Sequence, residues 1–270
     1  MYKGINSDFF RKTLSITVLL VINLVGVKAQ EGFQKKVFHS SKQDSLLYNI
    51  LCPQKNIDKE SQLEKYPLIL FLHGSGERGD DNKIQVMHIS ELFLNQENRK
   101  EYPAFVIAPQ CPKNKRWVEV KWDLDKHTMT QNPSESMQLT MDLIDSLIQK
   151  YPIDPQRIYI TGLSMGGFGT WDAIARYPDK FAAAVPICGG GDENTAKSIA
   201  DIQIWAFHGA DDKVVKVERS RNMIEAIRKE GGSPKYTEYK GVGHGSWIPA
   251  YKEKGLLKWL FIQSLKQKDK

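Results

Sequence analysis

The chain has 270 residues, with 38 Lys and Arg against 32 Asp and Glu, and 41% of its residues are hydrophobic. So ordinary a composition excludes an intrinsically disordered chain, a collagen-like repeat and a disulfide-dense mini-scaffold. Half of the net charge of +6 lies in the first 29 residues, and no polybasic run with interleaved aromatics follows, so no nucleic-acid partner is expected.

Taken in chain order, the first element is an address. Arg11 and Lys12 precede an uncharged run of 15 residues, 13–27, shorter than the ~20 that span a bilayer. Val27 and Ala29 stand at the −3 and −1 positions of a cut before Gln30. This pattern predicts a secretory signal over 1–29 and a single mature domain over 30–270, with an uncleaved anchor as the competing reading. The protein is then exported, periplasmic or extracellular, with no stable membrane association after signal removal. Cys52, Cys111 and Cys188 allow one internal bridge at most, and the sequence does not choose the pair. None has CxxC or metal-ligand spacing, so neither a metal nor a cofactor is expected.

Strands are expected at 35–39, 45–51, 68–72, 104–108, 157–161, 181–187, 202–207 and 235–239, several of them continuously apolar as strands buried on both faces should be. Helices alternate with them. One opens with Asn132 as N-cap, Pro133 in the first position and Glu135 closing a capping box, then presents Met137, Met141, Ile144 and Ile148 on one core face. Others are expected over 217–229, ending at Gly231-Gly232, and over 256–265. The stretch 111–131 has no period, and a loop that long in a compact domain usually serves function. Alternating strands and helices predict an α/β fold with a mostly parallel sheet.

The strand at 157–161 runs directly into Gly162-Leu163-Ser164-Met165-Gly166-Gly167. A bare G-x-S-x-G is weak, but strand before and helix after make it a turn that lifts Ser164 clear of the sheet as a nucleophile. A serine hydroxyl needs a base, and the base an orienting acid, following it in that order along the chain for this motif. Asp211 and Asp212 both follow the strand at 202–207, and the adjacent Val214-Val215 pair favours Asp212. His244, in a Gly-rich loop, is the one His after them. An oxyanion requires two backbone donors. Met165 should supply one and Ser75 the other, with Gly74 as the alternative. His73 reads as a structural histidine. Glu77 and Arg78 read as a brace for that loop, by pairing with each other or a neighbour, or as a surface ion pair. Asp80-Asp81-Asn82 reads as a solvated loop. Trp171 reads as core, whereas Trp117, Trp122 and Trp247 are candidates for a substrate platform.

These strings, G-L-S-M-G-G-F-G-T-W, L-H-G-S-G-E-R-G-D-D-N, A-P-Q-C-P, P-I-C-G-G-G-D, H-G-A-D-D-K-V-V and G-H-G-S-W, span 68–247 in order. In them the chain resembles exported bacterial α/β-hydrolase esterases, related to dienelactone-hydrolase-like and feruloyl/acetylxylan-esterase-like proteins and often labelled peptidases or phospholipase/carboxylesterases. The resemblance implies an α/β-hydrolase fold with a mostly parallel central sheet, helices on both faces and antiparallel leading strands. It implies a Ser164, Asp212 and His244 triad without metal, and ester hydrolysis through an acyl-enzyme. The expected substrate is a small ester or an acylated carbohydrate. A free imidazole titrates near ~6.5, so activity should fall below about that pH. The competing functions are a serine exopeptidase of the prolyl-oligopeptidase-like type and a catalytically inactive carbohydrate-binding protein.

Overall fold

Every residue of the strand Tyr66–Leu72 is buried, and its alternation sets the layers of the molecule. Successive side chains point to opposite faces of a sheet. Leu68, Leu70 and Leu72 accordingly join one apolar cluster, and Ile69 and Phe71 join another. The computed structural model describes residues 32–54 and 64–265, and the expected signal over 1–29 lies outside them.

Among the described residues one sheet contains β1 (Phe33–His39), β2 (Ser45–Leu51), β3 (Tyr66–Leu72), β4 (Phe105–Pro109), β5 (Ile153–Leu163), β6 (Ala183–Ile187), β7 (Gln203–Gly209) and β8 (Lys235–Tyr239). Their spatial order is β1-β2-β4-β3-β5-β6-β7-β8. The leading pairs β1–β2 and β2–β4 are antiparallel, and all the others are parallel. This is the mostly parallel α/β-hydrolase sheet that the strings imply. The chain leaves β3 for one neighbour, β4, and returns on the other side as β5. Ligand crevices of open α/β sheets form at the carboxyl ends beside such a reversal.

The helices follow as α1 (Ser90–Leu94), α2 (Gln96–Glu101), α3 (Glu135–Lys150), α4 (Met165–Arg176), α5 (Ala196–Ile199), α6 (Glu218–Lys229), α7 (Trp247–Ala250) and α8 (Leu256–Phe261). Side chains of α3, α4, α5 and α6 pack on the Leu68 face, and those of α1, α7 and α8 on the Ile69 face. The N-cap of α3 is Ser134, two residues later than expected. Its backbone is extended (φ −63°, ψ 156°) and its hydroxyl oxygen accepts from the Met137 amide at 3.1 Å. Ser134 also donates to the Trp117 carbonyl at 2.8 Å, so the cap ties the helix to the irregular stretch and outcompetes Asn132. The last helix ends at Phe261, four residues short of the expected end.

Candidate active site

Ser164 sits between β5 and α4 with φ 53° and ψ −116°, a conformation that costs a non-glycine residue about 1–3 kcal/mol. Sterics and hydrogen bonds hold it there. The Ser164 amide donates to the Ile187 carbonyl at 3.0 Å, and its carbonyl accepts from Phe168 at 3.0 Å. A Cβ on Gly166 would lie 1.9 Å from the Leu72 carbonyl oxygen, and one on Gly162 would lie 2.3 Å from that of Gly166. No larger residue fits either position, which is the reason for the G-x-S-x-G spacing.

His244, in the loop after β8, reaches Ser164 from the side. Its Nε2 lies 2.8 Å from Ser164 Oγ, and its Nδ1 lies 2.8 Å from Asp212 Oδ2. Asp212 follows β7, and its Oδ1 accepts from the Val214 and Val215 amides at 2.8 and 2.9 Å. Those amides explain why the acid next to the Val-Val pair is the one that turns inward. Asp211 is exposed, and its backbone amide bonds the Val242 carbonyl. Burial pushes the Asp212 carboxyl up, but hydrogen bonds from His208, His244 and the Val215 and Val214 amides outweigh it, holding Asp212 well below the usual carboxylate range. The ligand atoms of Cys188, Asp212 and His244 gather within 4.8 Å of one another. Asp212 Oδ2 and His244 Nδ1 are engaged with each other, however, and burial pushes the Cys188 thiol up to about 12.

The loop after β3 lies against the Ser164 turn. Gly74 is so close to β5 that a Cβ there would meet the Leu163 side chain at 2.8 Å. Ser75 opens a short 3-10 turn, and Met165 is the first residue of α4, where amides have no helical acceptor. Met165 directly follows Ser164, and Gly74 packs against Leu163, the residue before it. Glu77 and Arg78 do not pair with each other. Arg78 donates to the Ser75 carbonyl at 2.9 Å, and Glu77 faces His88 at 3.4 Å. Gln110, which sequence reasoning did not single out, donates to the Glu77 carbonyl at 3.2 Å and to Asp81 at 2.8 Å, and accepts from Asn82 at 2.7 Å. Its signal was a polar residue directly after the apolar strand β4. Fully buried His73 donates from Nδ1 to the Gly74 carbonyl at 2.6 Å and accepts the Cys111 amide at Nε2. Its burial lowers its pKa to about 4, so it stays a neutral brace.

The tryptophans divide. Trp117 is no platform: it is fully buried, donates to the His73 carbonyl at 3.0 Å and packs on Gly169. Trp122 is half-buried, with the Arg116 guanidinium 4.6 Å from its ring centre and an apolar cluster of Val118, Val120, Phe168 and Val215 beside it. Trp247 is edge-on to His244 at 5.5 Å and also meets His88 at 5.4 Å, so it stands at the wall of the site. Trp171 is core. Among the described residues all three cysteines are free. Two arginines pin the second half of the irregular stretch. Buried Arg219 binds the Leu124 carbonyl and His127, and Arg176 binds the carbonyls of Thr130 and Gln131.

The profile of the phospholipase/carboxylesterase family matches residues 55–252. A bifunctional acetylxylan esterase/xylanase of Neocallimastix patriciarum is 27% identical over 174 residues, covering 64% of this chain and 23% of that protein. A probable carboxylesterase of Arabidopsis thaliana is 27% identical over 191 residues, 65% of this chain and 71% of that one. A solved thermostable esterase superposes with a TM-score of 0.79 at 41% identity, covering 87% of this chain and 64% of the other. The chain therefore spans about a quarter of the bifunctional relative and somewhat under two thirds of the solved esterase.

Proposed function

The chain belongs to the phospholipase/carboxylesterase family, and from that premise we propose that it is a serine carboxylic-ester hydrolase acting through an acyl-enzyme. The reading rests on one observation above the others, the run of hydrogen bonds from Ser164 Oγ to His244 to Asp212, each 2.8 Å long. Ser164 attacks the ester carbonyl while His244 Nε2 takes its proton. Asp212 fixes the tautomer with the proton on Nδ1 and stabilises the imidazolium that forms. The Met165 and Ser75 amides hold the oxyanion. His244 then protonates the leaving alkoxide, and water, activated by the same imidazole, releases the acid.

The acetylxylan esterases among the relatives favour acyl esters of carbohydrates as the substrate class, with Trp247 at the wall where the sugar or acyl group rests. Residues 1–29 are proposed as an export signal and 30–270 as one catalytic domain. Among the described residues no helix is long and apolar enough to cross a membrane. Ser164→Ala should cut kcat/KM on p-nitrophenyl acetate by about 10^4-fold or more. Full activity in that variant overturns the mechanism. Parallel assays with p-nitroanilide peptides separate an ester hydrolase from an exopeptidase, and acetylated xylan tests the substrate class.

A further inference from the structure

Asp212 is shared by two imidazoles. His208, the penultimate residue of β7, is completely buried, and its Nε2 lies 3.2 Å from Asp212 Oδ2, the oxygen that also takes His244 Nδ1. The same Nε2 is 3.0 Å from the Val215 carbonyl. Both neighbours only accept, so Nε2 carries a proton. On the other side of the ring, Nδ1 is 2.8 Å from Ser220 Oγ, which also lies 3.1 Å from the Gly189 carbonyl. If the hydroxyl proton points to Nδ1 the ring is neutral, and if it points to Gly189 the ring is cationic. Nε2–H faces Asp212 in both arrangements.

We propose that His208 is a positioning residue for the reaction: it donates a second hydrogen bond to the acid, fixes Oδ2 for His244 and limits how strongly Asp212 can hold the His244 imidazolium. This rests on the triad reading above. The ionisable side chains around the pair are Cys188 after β6, His208 on β7, Asp212 after β7, His244 after β8 and, acting on His208 at longer range, Glu238 on β8. Removing the His208 donor leaves more negative charge on Oδ2, and removing a cationic ring does the same. Both states predict one sign: the His244 imidazolium becomes easier to form, and activity is lost at higher pH.

The experiment is the pH profile of kcat/KM and of kcat for the wild type, His208→Leu and His208→Gln, the last of which keeps an N–H at the distance of Nε2. His208→Leu should move the acid limb up by roughly half a unit and lower kcat about tenfold with little change in KM. His208→Gln should restore most of both. A residue that merely fills the core gives no shift of the limb. An unmoved limb and kcat in His208→Leu, or a shift that Gln does not restore, overturns the proposal. Nitrogen-15 histidine spectra of the intact protein decide the case even if the Leu variant does not fold. The resonance missing from His208→Gln should show a protonated Nε2, and an unprotonated one overturns the proposal. Retained activity in Ser164→Ala sinks the parent reading instead, and the spectra still report on His208.

Discussion

The two halves of the candidate site are held by different forces. Around Ser164 the constraint is backbone against backbone: Gly162 and Gly166 leave no room for a Cβ, and the Ile187 carbonyl fixes the serine amide. Around His244 the constraint is a set of hydrogen bonds to one carboxylate, supplied by two imidazoles and two amides. Steric enclosure fixes where an atom is. Donors gathered on an acid fix, in addition, which proton sits where. On the proposed mechanism, the strained nucleophile needs the first kind of support, and the base that cycles between two protonation states needs the second.

The comparison is broken most forcefully at Asp212. Asp212→Asn keeps an oxygen for the Val214 and Val215 amides but turns an N–H toward His244, reversing its tautomer. Steady-state kinetics should show kcat lower by about 10^4-fold. Asp211→Asn should leave it unchanged, and an equal loss in both would erase the distinction between the two acids. At the other half, Gly166→Ala places a methyl against backbone that cannot yield. The expected cost is about 3 kcal/mol or more, seen as a lower urea midpoint or loss of soluble protein. An unchanged midpoint would show that the turn is not sterically closed.

The smallest effect concerns His73, the brace beneath the loop after β3. His73 is neutral in the folded protein, with its pKa lowered from 6.5 to about 4 by burial. The unfolded chain therefore binds the extra proton between those values. Stability contributed by this site is complete above pH ~6.5 and declines as the pH falls toward ~4, by on the order of 2–3 kcal/mol. Urea midpoints of wild type and His73→Gln between pH 7 and 5 should converge, and parallel curves would remove His73 from the account.

What could be read in the sequence follows the same division. The steric half is local: six residues, 162–167, hold the glycines and the serine, and the strand before them is continuously apolar. The eight strands of the described residues were legible from short runs rich in apolar, β-branched and aromatic residues, though β5 begins at Ile153 rather than 157, since Asp154 and Pro155 interrupt its apolar pattern. The donor half is distributed over 208, 212, 214, 215, 220 and 244; chain order pointed to Asp212 and His244, which lie 2.8 Å apart, without showing His208. The helices α1 and α2 are too short to show a period. Trp117 was misassigned because its irregular stretch looked like a surface loop. In fact Arg176 and Arg219 draw that stretch onto the body of the protein through contacts more than forty residues apart.

The order of the site along the chain has a consequence for synthesis. Among the described residues β8 is the last strand and an edge of the sheet, and His244 follows it, 80 residues beyond Ser164. The serine turn needs only β3, β5 and β6 around it. At a translation rate of roughly 5–20 residues per second, Ser164 precedes His244 by several seconds. Through that interval the nascent chain carries a hydroxyl that nothing deprotonates. On the proposed mechanism, a stalled or prematurely ended product is chemically silent toward the esters of the cell that makes it.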